Sequence, residues 1–164
     1  MSEFSIRPAT LGDLDAIVDF IVRLADESES MLLDRATLRN GVREILSNAA
    51  RGSYYVACGG GIVGQMMHTR EWSDWRNGDI WWIQSVYVHP DHRRRGVCRA
   101  LYEHLKALSA ADPGVVGLRL YVERENAVAQ ATYAGLGMRM AGYLVMQDRC
   151  EAAGPEAAPQ ESAP

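Results

Sequence analysis

Apolar side chains recur at helical spacing in two early segments of the chain. In the first segment the repeating positions are Leu14, Ile17, Val18, Ile21, Leu24 and Ala25. In the second they are Leu38, Val42, Ile45 and Leu46. Intervals of three and four residues are typical of an amphipathic helix that buries one face. The pattern therefore predicts two helices, and Asp34 is placed to be the N-cap of the second.

Alternating or short apolar segments around these helices predict strands. Phe4–Ala9 predicts a short first strand, and the stretches YYVAC and IVGQMMH predict a β-hairpin around the intervening GGG. Asn77-Gly78 predicts a turn that leads into the strand IWWIQSVYV. VVGLRLYV predicts a buried strand, and MRMAGYLVMQDR predicts a final strand or a bent strand pair.

Two further helices complete the predicted order of elements. Helical periodicity begins at Val97 and continues to about Ala110, and a second helix from Asn126 closes at Gly137 as its C-cap. The order β-α-α-β-β-β-α-β-α-β predicts an α/β fold (an α+β mixed sheet) flanked by about four helices. We expect a single domain over residues 1–150. Residues 151–164 lack large apolar side chains and predict a disordered tail.

Composition narrows the class of protein. The chain has 164 residues, which suits one domain with a full core. The N-terminus lacks the pattern of a secretory signal, no apolar run is long enough for a membrane span, and the three cysteines are widely spaced. We therefore expect a cytoplasmic protein without a membrane partner. A net charge of −4 argues against nucleic acid as a partner.

Three consecutive arginines stand out in this acidic chain. In HPDHRRRGVCRAL, residues 89–101, Arg93–Arg95 precede Gly96 and the start of a helix. The first N–H groups of a helix lack internal partners and favour anions. A glycine allows the backbone to approach a ligand closely, and arginine adds charge-assisted bonds to phosphate. A ligand with two linked phosphates would explain all three features, although such an arginine run is also found in solvated loops.

Two segments together are similar to the GNAT superfamily of N-acetyltransferases. The pattern Arg/Gln-x-x-Gly-x-Gly/Ala of its acyl-CoA motif corresponds here to Arg93–Cys98, where Cys98 departs from the usual small residue. LYVERENAVAQATYAGLGM resembles the second family motif. The resemblance covers about Ser5–Arg149. The predicted helix pair, the hairpin and the aromatic strand are also loosely similar to those of diamine acetyltransferases. The resemblance implies a GNAT-like fold whose central, mostly antiparallel sheet is splayed at the cofactor strand.

The resemblance implies acetyl-CoA as the donor. The pantetheine arm would contact the backbone of the strand before the arginines, the pyrophosphate would bind the turn and first helical amides, and the second motif would contact the arm. The implied cofactor-binding residues are Val86, Tyr87, Val88, Arg93, Arg94, Arg95, Gly96, Val97, Cys98, Arg99, Asn126, Ala129 and Tyr133. Tyr133 would also protonate the departing thiolate, a role that a phenol suits. An aromatic residue in the core is the alternative for Tyr133.

The general base is left open. Relatives often carry Glu on the strand before the motif, where this chain has Gln84, which cannot take a proton. Gln84 would orient water or substrate, so we count it with Tyr133 as a catalytic candidate. A water relay or another group would accept the proton from the amine. The groups considered are Glu29, His68, Glu71 and Asp74.

An acceptor site is suggested by the tryptophans. All four, Trp72, Trp75, Trp81 and Trp82, lie within eleven positions, and aromatic rings receive cations or flat groups. Core packing is the alternative explanation. We take Trp72, Trp75, Trp82 and Glu29 as substrate candidates. The predicted partners are acetyl-CoA and a small amine, with a homodimer as an option because relatives are often dimeric.

Two other functions are each suggested by one feature of the sequence. A silent acyl-CoA sensor of the same fold is suggested by the missing strand carboxylate. A dinucleotide-binding enzyme is suggested by Gly59–Gly64, which matches G-x-G-x-x-G after a strand, with Asp79 further on. That site would need a helix to begin at the glycines. His89 and His92 have no further ligand cluster nearby in the sequence, so no metal is expected.

Overall fold

A computed structural model of the chain describes residues 4–148. Five strands form one sheet in the order β1-β2-β3-β4-β5. They are β1 (Ser5–Pro8), β2 (Gly52–Cys58), β3 (Ile62–Ser73), β4 (Gly78–Val88) and β5 (Val115–Leu120). Neighbours from β1 to β4 pair antiparallel, and β5 pairs parallel to β4. The predicted mixed, mostly antiparallel sheet is confirmed.

Four α-helices accompany the sheet, as the hydrophobic pattern predicts. They are α1 (Leu14–Glu29), α2 (Arg35–Ser47), α3 (Val97–Ala111) and α4 (Ala127–Gly135). A short 3₁₀ turn precedes α1, and another, Pro90–His92, precedes α3. None of these helices combines the length and apolar character that a membrane crossing requires, within the described part of the chain.

Two apolar layers hold the helices on opposite faces of the sheet. On one face, Ile17, Val18 and Val42 of α1 and α2 pack with strand residues that include Val56 and Met67. On the other face, α3 packs with neighbouring strand positions such as Met66 and Trp81. Successive strand side chains point to opposite faces, so adjacent residues such as Met66 and Met67 serve different layers. Full burial of one such side chain contributes about 2 kcal/mol.

The helix ends follow the predicted capping chemistry. Asp34 Oδ2 accepts a hydrogen bond from the Thr37 amide at 2.9 Å, and Asn126 Oδ1 accepts one from the Ala129 amide at 2.9 Å. After α4, Gly137 adopts φ 91°, and the Met138 amide donates to Tyr133 O at 3.0 Å. This pattern is a Schellman C-cap, which favours glycine at the left-handed position.

Gly59–Gly61 form a hairpin turn and not the start of a dinucleotide site. They connect β2 to β3, and the residues after them are a strand. Because a dinucleotide site needs a helix at that point, the interpretation of Gly59–Gly64 as one is wrong. Gly64 itself allows α3 to pack closely: a Cβ there would lie 2.9 Å from Val97 Cγ1 and 3.1 Å from Tyr87 O.

The final predicted strand is absent from the described residues. Residues 139–148 form neither a helix nor a strand, and their apolar side chains are exposed, as at Met140, Leu144 and Met146. Alternating apolar residues favour a strand only if a sheet edge pairs with their backbone, and no such pairing with β5 is formed in the described region. The strand VVGLRLYV is confirmed as β5, although it is half-buried rather than buried. The predicted tail, residues 151–164, and the domain boundary at 150 lie outside the described residues.

Candidate active site

The sheet opens where β4 and β5 separate. Their parallel pairing extends to Ile83 opposite Leu120, whereas β4 continues to Val88. At the point of separation Ser85 has φ 51°, and the register between β3 and β4 shifts at Gln65/Met67. The Gln65 side-chain amide donates to Ser85 O at 3.2 Å and supports this irregular backbone. The β5-facing edge of 86–88 can therefore receive an extended ligand, as in an added strand.

A turn rich in arginine follows this open edge. Arg94 and Gly96 both adopt left-handed backbone, with φ 58° and 85°. The first bond at the start of α3 runs from the Ala100 amide to Gly96 O at 2.9 Å, so the amides of 97–99 have no partner within the helix. No atom lies within 4 Å of the position that a Cβ on Gly96 would occupy. The turn therefore offers free amides and open space at the positive end of a helix dipole, which suits a phosphate.

The arginines of this turn differ in what their side chains contact. Arg93 Nε donates to Val88 O at 3.0 Å, and its Nη2 donates to Glu27 Oε2 at 2.5 Å. Arg99 lies 3.6 Å from Glu103 one helical turn along, and Arg95 lies over the Phe4 ring. The guanidinium of Arg93 is therefore bound within the protein, to Glu27 and to the Val88 carbonyl oxygen.

A cleft of about 320 Å³ opens between the separated strands and continues to α1 and α4. Its walls are the end of α1, the irregular part of β4, the end of β5 and the inner side of α4. The lining residues are Leu24, Ser28, Glu29, Ile83, Gln84, Ser85, Val86, Leu120, Tyr121, Val122, Glu123, Asn126, Ala129 and Tyr133. The fold thus brings together residues predicted from α1, β4 and α4 with its N-cap, namely Glu29, Gln84, Val86, Asn126, Ala129 and Tyr133.

Tyr133 lies in this cleft with its phenol protonated at neutral pH. Burial raises the pKa of its phenol, and the neighbouring Cys98 thiol raises it further. Burial also raises the pKa of Cys98. Both groups are therefore protonated at neutral pH, and Tyr133 holds the proton that a general acid must donate.

Gln84 faces the cleft with its amide oriented by a neighbour. Its Nε2 donates to Thr69 Oγ1 at 2.8 Å, which leaves the side-chain oxygen available as an acceptor. An amide oxygen accepts hydrogen bonds but does not act as a base at neutral pH. Gln84 can therefore hold an amine or a water molecule in place without removing its proton.

The four candidates for the general base lie in different parts of the fold, and one of them lines the cleft. That residue is Glu29. His68 lies in the α3 layer on the opposite face, stacked on Trp81 at 4.0 Å, where burial lowers its pKa to about 4. Glu71 accepts a hydrogen bond from Trp82 Nε1 at 2.8 Å, and Asp74 accepts one from the Trp75 amide in the β3–β4 turn.

The tryptophans also separate. Trp81 is buried in the α3 layer, whereas Trp82 stacks on Tyr121 with ring centroids 4.4 Å apart. Trp72 and Trp75 are 62% and 87% exposed near the hairpin tip, because Trp72 pairs with Asp79 at the start of β4, whereas Gln84 pairs with Met67 in the middle of the strand. Trp72 and Trp75 are therefore not among the residues that line the cleft, and their role as substrate residues stays a prediction.

Tyr121 and Glu123 are among the lining residues that the sequence did not identify. Both directly follow β5, and ligands in such sheets bind beyond the carboxyl ends of strands. The carboxyl end of β5 is therefore the sequence signal that points to them. Within residues 4–148, no group of three or more His, Cys, Asp or Glu side chains is arranged to hold a metal ion.

Comparison with known proteins decides the family. The profile of the Acetyltransferase (GNAT) family matches residues 18–138, and a possible acetyltransferase from Clostridium difficile 630 is 42% identical, with a TM-score of 0.85. That alignment covers 90% of this chain and 97% of the other. The chain belongs to the GNAT acetyltransferase family. The fold and family expected from the two sequence motifs are confirmed.

More distant GNAT-like structures share the fold. A probable acetyltransferase is 24% identical with a TM-score of 0.76, over 88% of this chain and 99% of the other. A predicted acetyltransferase with acetyl-CoA from Clostridium acetobutylicum is 14% identical with a TM-score of 0.74, over 88% and 96%. No curated protein matches the chain significantly. GNAT proteins use acetyl-CoA, and the open β4 edge and the Gly96 turn fit its extended arm and linked phosphates.

Proposed function

We propose that this GNAT protein transfers the acetyl group of acetyl-CoA to the primary amine of a small molecule, by direct attack in a ternary complex. The observation that carries the proposal is one continuous cleft. It joins the open edge of β4, which leads to the Gly96 turn, with Gln84 and Tyr133. Acetyl-CoA supplies a thioester whose carbonyl carbon an amine can attack. The residues around it bind, orient and move protons.

The proposed donor site divides between two stretches of backbone and one helix. The main chain of 86–88 would hold the pantetheine arm, and the amides of 94–99 would hold the pyrophosphate. Asn126 and Ala129 would contact the arm from α4. The Asn126 carbonyl oxygen is already used in the helix cap, so its amide group is the part that remains for a ligand.

Tyr133 is proposed as the acid for the leaving thiolate. Its raised pKa keeps the phenol protonated across the working range of an amine acetyltransferase. The amine must lose its own proton, because a primary ammonium has a pKa of about 10. In this proposal Gln84 Oε1 orients the amine, and the proton passes to water or to Glu29, the base candidate that lines the cleft.

The charges of the cleft favour a cationic acceptor. Among its described lining residues are two carboxylates, Glu29 and Glu123, and no lysine, arginine or histidine. A positively charged amine is attracted to such a site, whereas an acceptor with its own carboxylate is repelled. The exposed face of Tyr121, stacked on Trp82, can contact a cation or a flat group. We therefore infer a small amine without a carboxylate, such as an aryl-alkyl amine.

A catalytically silent acyl-CoA sensor is the second candidate, favoured by the amide at Gln84. Calorimetry with acetyl-CoA and CoA release in the presence of an amine panel distinguish the two functions. Binding together with amine-dependent CoA release is the expected result. Binding without transfer to any amine would support the sensor, and absence of binding would contradict both.

The proposed compartment and assembly need separate tests. Residence in the cytoplasm agrees with the free thiols Cys58 and Cys98 and with the use of acetyl-CoA. A homodimer is proposed because relatives in the family are often dimeric, and light scattering of the purified protein tests this assembly.

A further inference from the structure

We propose that Glu27 and Arg93 are positioning residues that hold the phosphate-binding turn, and that Arg93 serves cofactor binding without touching a phosphate. We call Glu27, Tyr87 and Arg93 the Glu27 clamp. The inference rests on the proposed function, because it concerns how acetyl-CoA is bound. It assigns a different role to the first arginine of the motif from the one expected from sequence.

The clamp joins three parts of the fold through one carboxylate. Glu27 Oε1 accepts a hydrogen bond from Tyr87 Oη at 2.6 Å, and Glu27 Oε2 accepts one from Arg93 Nη2 at 2.5 Å. Arg93 Nε donates to Val88 O at 3.0 Å, and its guanidinium lies 5.4 Å from the Tyr87 ring centroid. These contacts tie α1 to the end of β4 and to the first residue of the turn.

Packing fixes the carboxylate from the α1 side. The Phe20 ring lies 5.1 Å from the Tyr87 ring, and Phe20 and Tyr87 are both buried. Hydrogen bonds from Tyr87 and then Arg93 lower the pKa of Glu27, so the carboxylate is charged at neutral pH. The Tyr87 backbone pairs with β3, so its side chain projects from an anchored strand. The clamp therefore joins a rigid strand to a turn that has to be held in shape.

The turn needs such support because of its backbone. Arg94, directly after Arg93, adopts φ 58°, a conformation that costs a non-glycine residue free energy. Gly96 adopts φ 85° two residues later. Both conformations are required if the amides around Gly96 are to face one ligand. By binding Val88 O and Glu27 together, the Arg93 side chain fixes the residue from which this backbone starts.

The exposed ion pair between Glu27 and Arg93 contributes little free energy, which indicates that it positions the turn rather than stabilises the fold. The side chains of Arg93 and Glu27 are 44% and 41% exposed, and ion pairs this exposed add little to the free energy of unfolding. Small errors in the placement of several amides, in contrast, weaken each of the hydrogen bonds to a bound phosphate. We therefore expect loss of the clamp to reduce acetyl-CoA binding far more than it reduces thermal stability.

The two possible roles of Arg93, as a phosphate ligand or as a positioning residue, predict opposite effects of Glu27→Gln on acetyl-CoA affinity. Glu27 is a negative charge close to the turn that would bind an anionic cofactor. If Arg93 were a phosphate ligand, Glu27→Gln would remove a repulsive charge and release the guanidinium, so acetyl-CoA would bind more tightly. In the clamp, Glu27→Gln weakens binding, because a neutral amide oxygen replaces the carboxylate that accepts from Arg93, and the charge-assisted contact that holds the guanidinium is lost.

The experiment measures the Kd of acetyl-CoA by calorimetry for the full chain and its variants. We expect Glu27→Gln and Arg93→Gln each to weaken binding about tenfold, the cost of one charge-assisted contact. The double variant should be no weaker than either single variant, because both break the same unit. Asp26→Asn is the matched control: it removes the neighbouring α1 charge outside the clamp and should leave binding unchanged or slightly tighter.

A second donor separates positioning of the turn from a general structural effect. S-acetylpantetheine lacks the phosphates, so both single variants should lose far less kcat/KM with this donor than with acetyl-CoA. Thermal melting followed by circular dichroism shows separately that each variant is folded. Unchanged or tighter acetyl-CoA binding by Glu27→Gln, additive losses in the double variant, or an equal loss with S-acetylpantetheine would each overturn the clamp. If the wild type itself did not bind acetyl-CoA, the proposed function would fail and this inference with it.

Discussion

Replacing Tyr133 with phenylalanine removes one proton from the cleft while it keeps the ring and its packing. A positioned general acid contributes at least about 100-fold to a rate, which corresponds to about 2.7 kcal/mol of barrier. A neutral hydroxyl contributes about 1 kcal/mol to binding, so the Kd of acetyl-CoA should change by at most about fivefold. We therefore expect Tyr133→Phe to lower the rate of acetyl transfer at least about 100-fold with little loss of donor affinity.

The assay is single-turnover transfer to an amine substrate, followed from pH 6 upward, which removes product release from the comparison. Burial raises the pKa of Tyr133 above the ordinary value of 10.0, so the wild-type rate should not fall below pH 10 through ionisation of this group. The fall above that pH should be absent from the variant. A variant with the wild-type single-turnover rate, where acetyl transfer itself limits, would refute the acid role and leave Tyr133 as a packing residue.

Three further predictions test the turn, the acceptor charge and the buried histidine. Gly96→Glu should abolish acetyl-CoA binding in calorimetry, whereas Gly96→Ala, which shares the strained φ of 85° but lacks the charge, should retain most of it; equal losses would contradict a phosphate at this turn. Tyramine and histamine should have kcat/KM values more than tenfold above those of tyrosine and histidine, because like charges about 10 Å apart repel by about 1.7 kcal/mol at an effective dielectric constant near 20. Glu29→Gln or Glu123→Gln should reduce that preference, and comparable wild-type turnover of amines and amino acids would contradict it. Burial lowers the pKa of His68 in the folded protein from 6.5 to about 4, so well above pH 6.5 the imidazole is neutral in both the folded and the unfolded protein. As the pH falls from about 6.5 to 4, the unfolded protein takes up a proton first, and the free energy of unfolding falls by at most about 3 kcal/mol. Urea denaturation should show this pH dependence in the wild type and not in His68→Phe, and identical slopes would refute it.

Most of the fold was predictable because local rules and tertiary packing agree along this chain. The apolar stripe of α1, the Asp34 cap and the left-handed Gly137 each specify a local conformation, and the structure uses all of them. The segment 139–148 shows where such rules fail. Its alternation records a preference for a strand, but a strand forms only against an available edge, and the pairing of edges is not encoded within the segment.

The proposed donor side of the candidate site could be drawn from the sequence because its residues are local in the chain. A phosphate turn needs a strand end, a glycine and a helix start within about a dozen residues, and all of these stand together from Val86 to Arg99. The acceptor side is assembled from α1, β4, β5 and α4, so its members share no local pattern. Composition alone grouped Trp72, Trp75 and Trp82, and the register of the hairpin then separated them.

The Glu27 clamp lies at the limit of what the sequence can indicate. Sixty-six positions separate Glu27 from Arg93, and the run Asp26–Glu29 has the appearance of a solvated helix end. One signal was nevertheless present: Phe20, Leu24 and Glu27 are spaced by four and three residues, so the glutamate continues the inward face of α1. A carboxylate on an inward helical face requires a buried or half-buried donor. The arginine run supplies several donors, but only the three-dimensional packing selects Arg93, because it brings that residue's side chain back along β4 toward α1 while the turn continues to Gly96.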